Sequence, residues 1–257
     1  MKIVGLITEY NPFHNGHLYH IKESLRVTGA DAAVVVMSGD YVQRGTPAIM
    51  PKRIRAEMAL MCGAGAVFEL PVCYATGSAE LFALGSVSLL ESLGIVDSIC
   101  FGSECNDLPI LEQLAELLLE EPEAYQILLK DYLKQGMSFP RARQEAILSY
   151  TEDPRFAEIL RNPNNILGIE YLKAAHRLGF SPQWAAIPRK GAGHDQHGEE
   201  KGLMSASYVR HLLEAGDWSE AQKGLPEICL PLYQQAFVSG VAPVRLGNLE
   251  RNMLAIL

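Results

Sequence analysis

Short apolar runs alternate with amphipathic stretches through the first half of this chain. The run Ile3-Val4-Gly5-Leu6-Ile7 predicts a strand over Lys2–Thr8, followed by a helix over Gly16–Thr28. A valine-rich run predicts a second strand at Ala32–Met37, and a helix follows from Lys52 to Cys62. A short third strand fits Val67–Leu70. The next helix, Ser78–Leu93, carries Leu81, Leu84, Val87, Leu89 and Leu90 at helical spacing. The fourth strand, Ser98–Phe101, runs into Gly102-Ser103-Glu104. From Leu108 to Ser149 the pattern turns purely helical, with Leu111, Leu114, Leu117 and Leu118 on one face. Asn162-Pro163-Asn164-Asn165 breaks the chain and caps a helix over Ile166–Leu178. A fifth strand fits Trp184–Ile187, a polar glycine-rich loop covers Arg189–Lys201, and Ser205–Leu213 is helical again. The tail from Gly216 to Leu257 has weaker patterning and no closing element.

Strands alternating with helices predict an α/β fold with a parallel sheet. Right-handed crossovers and short connections give a doubly wound, five-stranded sheet of order 3-2-1-4-5, with a helical insertion at about 107–160 after strand four. The expected organisation is one domain over 1–215 and a partial C-terminal segment over 216–257. This strand order sets the ends of strands one and four side by side. Ligands bind at such a switch point, so the loops at His14–His17 and Gly102 are expected to share one crevice.

Composition narrows the class. With 48% hydrophobic and 20% charged residues in 257, the mixture is that of an ordinary globular protein. The N-terminus makes a poor signal peptide, and no apolar stretch reaches the length of a bilayer span. Five cysteines, odd in number and without a C-x-x-C pair, predict reduced, mostly buried thiols in a cytoplasmic protein rather than a zinc site. The formal net charge of −8 argues against bulk attraction to nucleic acid. Basic residues still cluster at Lys52, Arg53 and Arg55, at Arg141 and Arg143, and at Arg189 and Lys190, which leaves room for a local basic face. The glutamates from Glu112 to Glu123 read as a solvated helix surface.

The chemistry concentrates in Glu9-Tyr10-Asn11-Pro12-Phe13-His14-Asn15-Gly16-His17. His14 and His17 are three residues apart at the start of a helix and project the same way. Gly16 lets a ligand approach the backbone, and the free N–H groups of that turn attract phosphate oxygens. Fixed donors there would stabilise charge developing on a transferring phosphate. His20 continues the face one turn on, where packing is the simpler role. Met204-Ser205-Ala206-Ser207-Tyr208-Val209-Arg210 places hydroxyls at a second helix start with an arginine behind them, a pattern that a plain serine cap also explains. Paired with the histidines, it resembles the second phosphate-binding signature of the nucleotidylyltransferase superfamily, with Ala206 in place of a serine.

Further blocks bring the resemblance closer. The Glu9–His17 stretch is similar to the signature of the bacterial tRNA(Met) cytidine acetate ligase family. So are Met37-Ser38-Gly39-Asp40-Tyr41-Val42-Gln43-Arg44-Gly45, Ser78-Ala79-Glu80, Phe101-Gly102-Ser103-Glu104 and Pro163-Asn164-Asn165-Ile166-Leu167-Gly168-Ile169-Glu170-Tyr171. The resemblance implies a nucleotidylyltransferase-like Rossmann fold. It implies activation of acetate by ATP to acetyl-adenylate, with Mg²⁺ accompanying the nucleotide, then acetylation of the wobble cytidine of elongator methionine tRNA. It also implies ATP contacts from Ile7, Thr8, Glu9, Tyr10, Asn11, Pro12, Phe13, His14, Asn15, Gly16, His17, Leu18, Tyr19 and His20, and from Gly102, Asn164 and Arg189. His14, His17 and Arg210 take the catalytic roles. Gly102 is expected where a side chain would collide with adenosine, Asn164 to read a polar edge or cap its helix, and Arg189 to meet phosphate or base. Asp40, Gln43 and Arg44 are assigned to positioning the substrate or to structuring their loop. Family members are longer, so the tail after Gly216 reads as the start of a further domain. Two other readings stay open: an adenylyl- or cytidylyltransferase acting on a small phosphate-bearing acceptor, and an ATP- or RNA-binding chain without turnover.

Overall fold

The computed structural model describes residues 1–189 and 203–249. Its centre is a parallel sheet of β1 (Ile3–Thr8), β2 (Ala32–Ser38), β3 (Ala64–Leu70), β4 (Ser98–Ser103) and β5 (Gln183–Pro188). The strand order is β3-β2-β1-β4-β5, as the pattern predicts. Alternation along β1 explains the two layers. Ile3 and Ile7 enter one core with Val34, Val36, Ile99 and Phe101, and Val4 and Leu6 enter the opposite core with Ala33, Val35 and Cys100. The first core is covered by α4 (Ala79–Ser92), α5 (Leu108–Glu120) and α9 (Pro163–Leu178). The second is covered by α1 (Asn15–Thr28), α2 (Lys52–Met61) and α10 (Ala206–Ala215).

One detail of register opens the site. β1 pairs with β4 at Val4↔Ser98 and Gly5↔Ile99, yet both strands continue beyond that point, to Thr8 and Ser103. Their C-terminal ends therefore part, while β1 stays in register with β2 through Thr8↔Met37. β4 likewise stays paired with β5 through Ser103↔Pro188.

The predicted insertion is four helices: α5, α6 (Glu123–Lys134), α7 (Phe139–Thr151) and α8 (Pro154–Ile159). Asp107 Oδ1 caps α5 by accepting from Ile110 N, and Pro122 blocks continuation from α5 into α6. The insertion is fused to the domain, because Leu111, Leu114 and Leu118 sit in the same core as the sheet. Two elements escaped the pattern. β3 begins at Ala64, since the small residues Ala64-Gly65-Ala66 hide its alternation, and α3 (Val72–Ala75) is one turn behind Pro71. No helix among the described residues is long and apolar enough to cross a membrane. The 190–202 stretch of the predicted polar loop and the tail beyond 249 lie outside the described residues.

The tail also closes more of the fold than its weak patterning suggested. α11 (Trp218–Ala221), a 3-10 turn at Glu227–Cys229 and α12 (Leu230–Val238) are too short to show clear periodicity. They nevertheless bury Ala221, Cys229, Tyr233 and Ala236 in the second core. Tyr233 donates its hydroxyl to the Phe13 carbonyl, and Val244 N donates to Ile49 O at 2.7 Å. The tail thereby holds the loop that carries the histidines. Tyr233→Phe would leave a buried carbonyl without its donor, and the expected loss is about 1–3 kcal/mol in urea denaturation. A loss below about 0.5 kcal/mol, within the scatter of ordinary surface substitutions, would mean that this docking contributes little.

Candidate functional site

The parted ends of β1 and β4 open into a cavity of about 360 Å³. His14, Gly16, His17, Tyr19 and His20 line it from α1 and its cap, Gly102 from β4, and Arg189 from just after β5. Asn164, Leu167 and Tyr171 come from α9, Phe82 from α4, and Glu9, Gln43 and Arg44 from the loops after β1 and β2. Met204, Ser205 and Ala206 complete the rim. The two histidine- and glycine-bearing loops thus meet where the strand order places them.

α1 begins in a reciprocal cap. Gly16 N donates to His14 Nδ1 at 2.9 Å, and His14 N donates to His17 Nδ1 at 3.3 Å. An imidazole nitrogen that accepts from a backbone N–H carries no proton, so each neutral ring holds its proton on Nε2. The two rings lie side by side with centroids 3.9 Å apart. His17 rests on Tyr10 and Phe13, both fully buried. Gly16 has a local cause as well: a Cβ there would fall 2.6 Å from His14 Cε1. The glycine makes room for the histidine ring, where the sequence suggested room for a ligand.

Burial, reinforced by Arg189 and Arg210, pushes the His14 imidazole down to about 3. Burial also holds His17 well below its ordinary range, helped by His14, His20 and Arg189, with the Pro12 carbonyl acting the other way. His20 is lowered to about 4, again chiefly by burial, and its Nε2 has no partner. All three are neutral at neutral pH. Neutral ring donors beside the Arg189 guanidinium can therefore receive a polyanion without bringing two imidazolium rings into contact.

The opposite wall is built by loop-to-loop bonds. Asn165, fully buried, accepts at Oδ1 from Ser103 Oγ (2.8 Å) and Glu104 N (2.9 Å). The Glu104 carboxylate accepts in turn from Asn164 Nδ2 and from Asn165 N (3.0 Å). Asn162, one step outside α9, occupies the cap position, so Asn164 is free of that role. Gly102 again answers to a neighbour within the chain, since a Cβ there would meet Arg189 Cγ at 3.3 Å.

Of the sequence-derived positions, Ile7, Thr8, Glu9, His14, Gly16, His17, Tyr19, His20, Gln43, Arg44, Gly102, Asn164 and Arg189 line the cavity. Tyr10, Asn11, Pro12, Phe13, Asn15 and Leu18 do not. They build its support: Asn11 Oδ1 accepts from Ile49 N (2.8 Å), and Asn15 Nδ2 donates to Lys223 O (3.1 Å). Arg210 reaches the same loop, donating to the Asn11 carbonyl, and Ser205 Oγ caps α10 through Tyr208 N at 3.2 Å. Asp40 faces a separate cavity of about 290 Å³ beside Tyr41 and Met50, and its Oδ1 accepts from Lys52 N. Phe82, Leu167 and Tyr171 were missed as lining residues, although Leu167 and Tyr171 lie within one of the quoted blocks. Three of the clustered basic residues are engaged within the chain, and Lys190 lies outside the described residues. Arg55 is fully buried, Arg143 pairs with buried Glu170, and Lys52 pairs with Glu69.

The histidine shifts set a pH dependence. A folded-state pKa below the unfolded value leaves the unfolded chain with more bound protons, so stability is lost as pH falls below about 6.5 toward 3. His14→Asn keeps a capping acceptor but removes the titration. Between pH 4.5 and 5.5, its unfolding free energy is expected to change less steeply than that of the unsubstituted chain, by about 1.4 kcal/mol per pH unit. Parallel urea-derived stability curves would contradict a neutral His14.

A family model described as HIGH Nucleotidyl Transferase matches residues 1–255. The chain is 44% identical over 257 residues to a tRNA(Met) cytidine acetate ligase of Caldanaerobacter subterraneus, covering 100% of this chain and 64% of that protein. It is 40% identical to a protein of the same name from Halothermothrix orenii, covering 99% of this chain and 62% of the relative. The crystal structure of Thermotoga maritima TmcAL bound with alpha-thio ATP superposes with a TM-score of 0.90 at 38% identity, over 97% of this chain and 59% of that one. The apo form gives a TM-score of 0.92 at 39% identity. The chain therefore spans about three fifths of the length of these relatives. With its sheet order, histidine turn and match across 255 residues, the chain belongs to the HIGH nucleotidyl transferase family.

Proposed function

We propose that this chain activates acetate with ATP, and that the acetyl group then passes to the wobble cytidine of elongator methionine tRNA in the cytoplasm. The observation that carries the first step is the His14–His17 pair. It offers neutral imidazole rings lining the cavity at the parted strand ends, with Arg189 and Arg210 close enough to depress the His14 pKa. The acceptor is supported by relatives named tRNA(Met) cytidine acetate ligase at 40–44% identity over 99–100% of this chain.

In the first step an acetate oxygen attacks the α-phosphorus of ATP, the bond to the β-phosphate oxygen breaks, and pyrophosphate leaves. The histidine N–H groups and the α1 N-terminus meet the negative charge that builds on the phosphate oxygens. Arg189 and Arg210 supply permanent positive charge beside them, and Arg44 faces the incoming carboxylate across the cavity. In the second step the cytidine N4 attacks the acetyl carbonyl, AMP leaves, and the amine proton is released. No residue of the chain becomes covalently attached. Positioning and charge stabilisation carry the reaction.

Among the described residues no group of three or more His, Cys, Asp and Glu is placed to hold a metal. Glu9 is the one carboxylate lining the cavity among them. That donor set suits a Mg²⁺ that arrives on the triphosphate and keeps most of its water. It would add positive charge to the leaving pyrophosphate.

Acetate-dependent exchange of labelled pyrophosphate into ATP tests the adenylation step. Exchange is expected with acetate and at background without it. His17→Ala is expected to reduce exchange by about 10²–10³ while a cooperative unfolding transition persists. Exchange that ignores acetate, or that responds only to another acceptor such as a small phosphate ester, would refute the assignment.

A further inference from the structure

Arg55 stands out among the charged residues because it is both fully buried and surrounded by backbone carbonyls. Taking a guanidinium out of water is costly unless its donors are met. Here four of its five donors are used. Nε donates to Met50 O at 3.1 Å, and one terminal nitrogen donates to Glu9 O. The other terminal nitrogen donates to Ser38 O at 3.2 Å and to Gly39 O. Burial lowers its pKa to about 10, with Asp40, Glu9 and Glu69 acting the other way, so it remains charged at neutral pH.

The acceptors belong to three separate segments: the end of β1, the end of β2 and the entry to α2. A single planar fork thus fixes the spacing between the loops that follow β1 and β2. Those loops meet again above it, where Glu9 Oε1 accepts from Gln43 N at 2.7 Å. Glu9, Gln43 and Arg44 line the cavity on this side. None of the Arg55 bonds reaches Gly102, Asn164 or Arg189 on the other side.

We propose that Arg55 is a positioning residue for the acceptor half of the cavity, clamping the ends of β1 and β2 so that Glu9, Gln43 and Arg44 face the carboxylate substrate. The proposal rests on the acetate-activating reading above. Arg55 touches no substrate itself. Its planar geometry is what matters, because a lysine ammonium is a single point that cannot span three carbonyl-bearing segments at these distances. The local charge suits the same role. Arg44, Arg55 and Arg210 all act on the Glu9 carboxylate, and Asp40 and Glu69 act on Arg55 in turn, so Glu9 is held in a charged network on this side of the cavity.

The test is pyrophosphate exchange by Arg55→Lys, with acetate and ATP varied separately. The KM for acetate is expected to rise tenfold or more, while the KM for ATP stays within threefold of the unsubstituted chain. Arg55→Gln, a neutral donor free of the cost of burying a charge, is expected to give the same split. In a Glu9→Ala background the further effect of Arg55→Lys on the acetate KM is expected to shrink, because the clamp acts through the Glu9–Gln43 contact. Unchanged KM values in a folded variant would overturn the proposal. So would a parallel rise in both KM values, or failure of both variants to fold, either of which assigns Arg55 a purely structural role. Absence of acetate-dependent exchange in the unsubstituted chain is a different result: it removes the catalytic reading, and the proposal with it.

Discussion

The site depends on one constraint, the reciprocal cap at the start of α1. Two of the backbone N–H groups at this turn, His14 N and Gly16 N, find acceptors in imidazole nitrogens rather than in the usual serine or aspartate. That choice begins the helix, orients both rings and fixes which nitrogen holds the proton. A serine cap would have done only the first. The cap in turn needs Gly16, because the His14 ring lies where a side chain would be. It also needs the aromatic bed of Tyr10 and Phe13 under His17, with the Phe13 carbonyl tied to Tyr233 from the far end of the chain. A local helix start is thus held by contacts up to 220 residues apart in sequence.

The second requirement is a gap in a sheet that is otherwise closely paired. β1 and β4 part after Gly5 and Ile99, and parted strands leave backbone polar groups that must be satisfied elsewhere. The flanking loops meet that demand with buried polar side chains. Asn165 gathers Ser103 and Glu104 on the β4 side, and Arg55 gathers Glu9, Ser38 and Gly39 on the β1–β2 side. Both residues are fully buried. Each serves as a rigid bracket for a wall of the cavity, which explains why such expensive groups sit in the interior.

The strand order and the meeting of the His14 and Gly102 loops were legible in the sequence because both follow from periodicity and chain handedness. Register was not. Nothing in the apolar run Ile3–Ile7 says that pairing with Ser98–Phe101 stops at Gly5, so the opening of the crevice came from the structure. The same limit explains Arg55. On helical spacing it stands beside Lys52 and Arg53 as one of a basic trio, and only its tertiary surroundings separate it from the two that stay accessible to solvent. Gly16 and Gly102 were read as positions kept open for a ligand. The neighbours a Cβ would meet there, the His14 ring and more loosely the Arg189 stem, belong to side-chain direction and distant packing that a sequence pattern does not encode. The tail was under-read for a different reason: α11 and α12 are too short for a period of 3.6 to declare itself.

The division of labour between neutral and charged donors bears on how an acidic chain handles a polyanion. The formal charge of −8 offers no general attraction to phosphate, so attraction must come from the crevice itself. Under the proposed reading Arg189, which lines the crevice, would supply it, with Arg210 behind the Asn11 loop. Held neutral by burial and by those arginines, the histidines add directed N–H donors without adding ground-state charge. A neutral N–H donor bonds more strongly as its acceptor becomes more negative, so donation from such a pair would be strongest where the acceptor charge is greatest. Had the rings been cationic from the start, two positive groups with centroids 3.9 Å apart would have repelled each other. A desolvated, tautomer-fixed histidine pair avoids that repulsion, and the cap that starts α1 is what makes the pair possible.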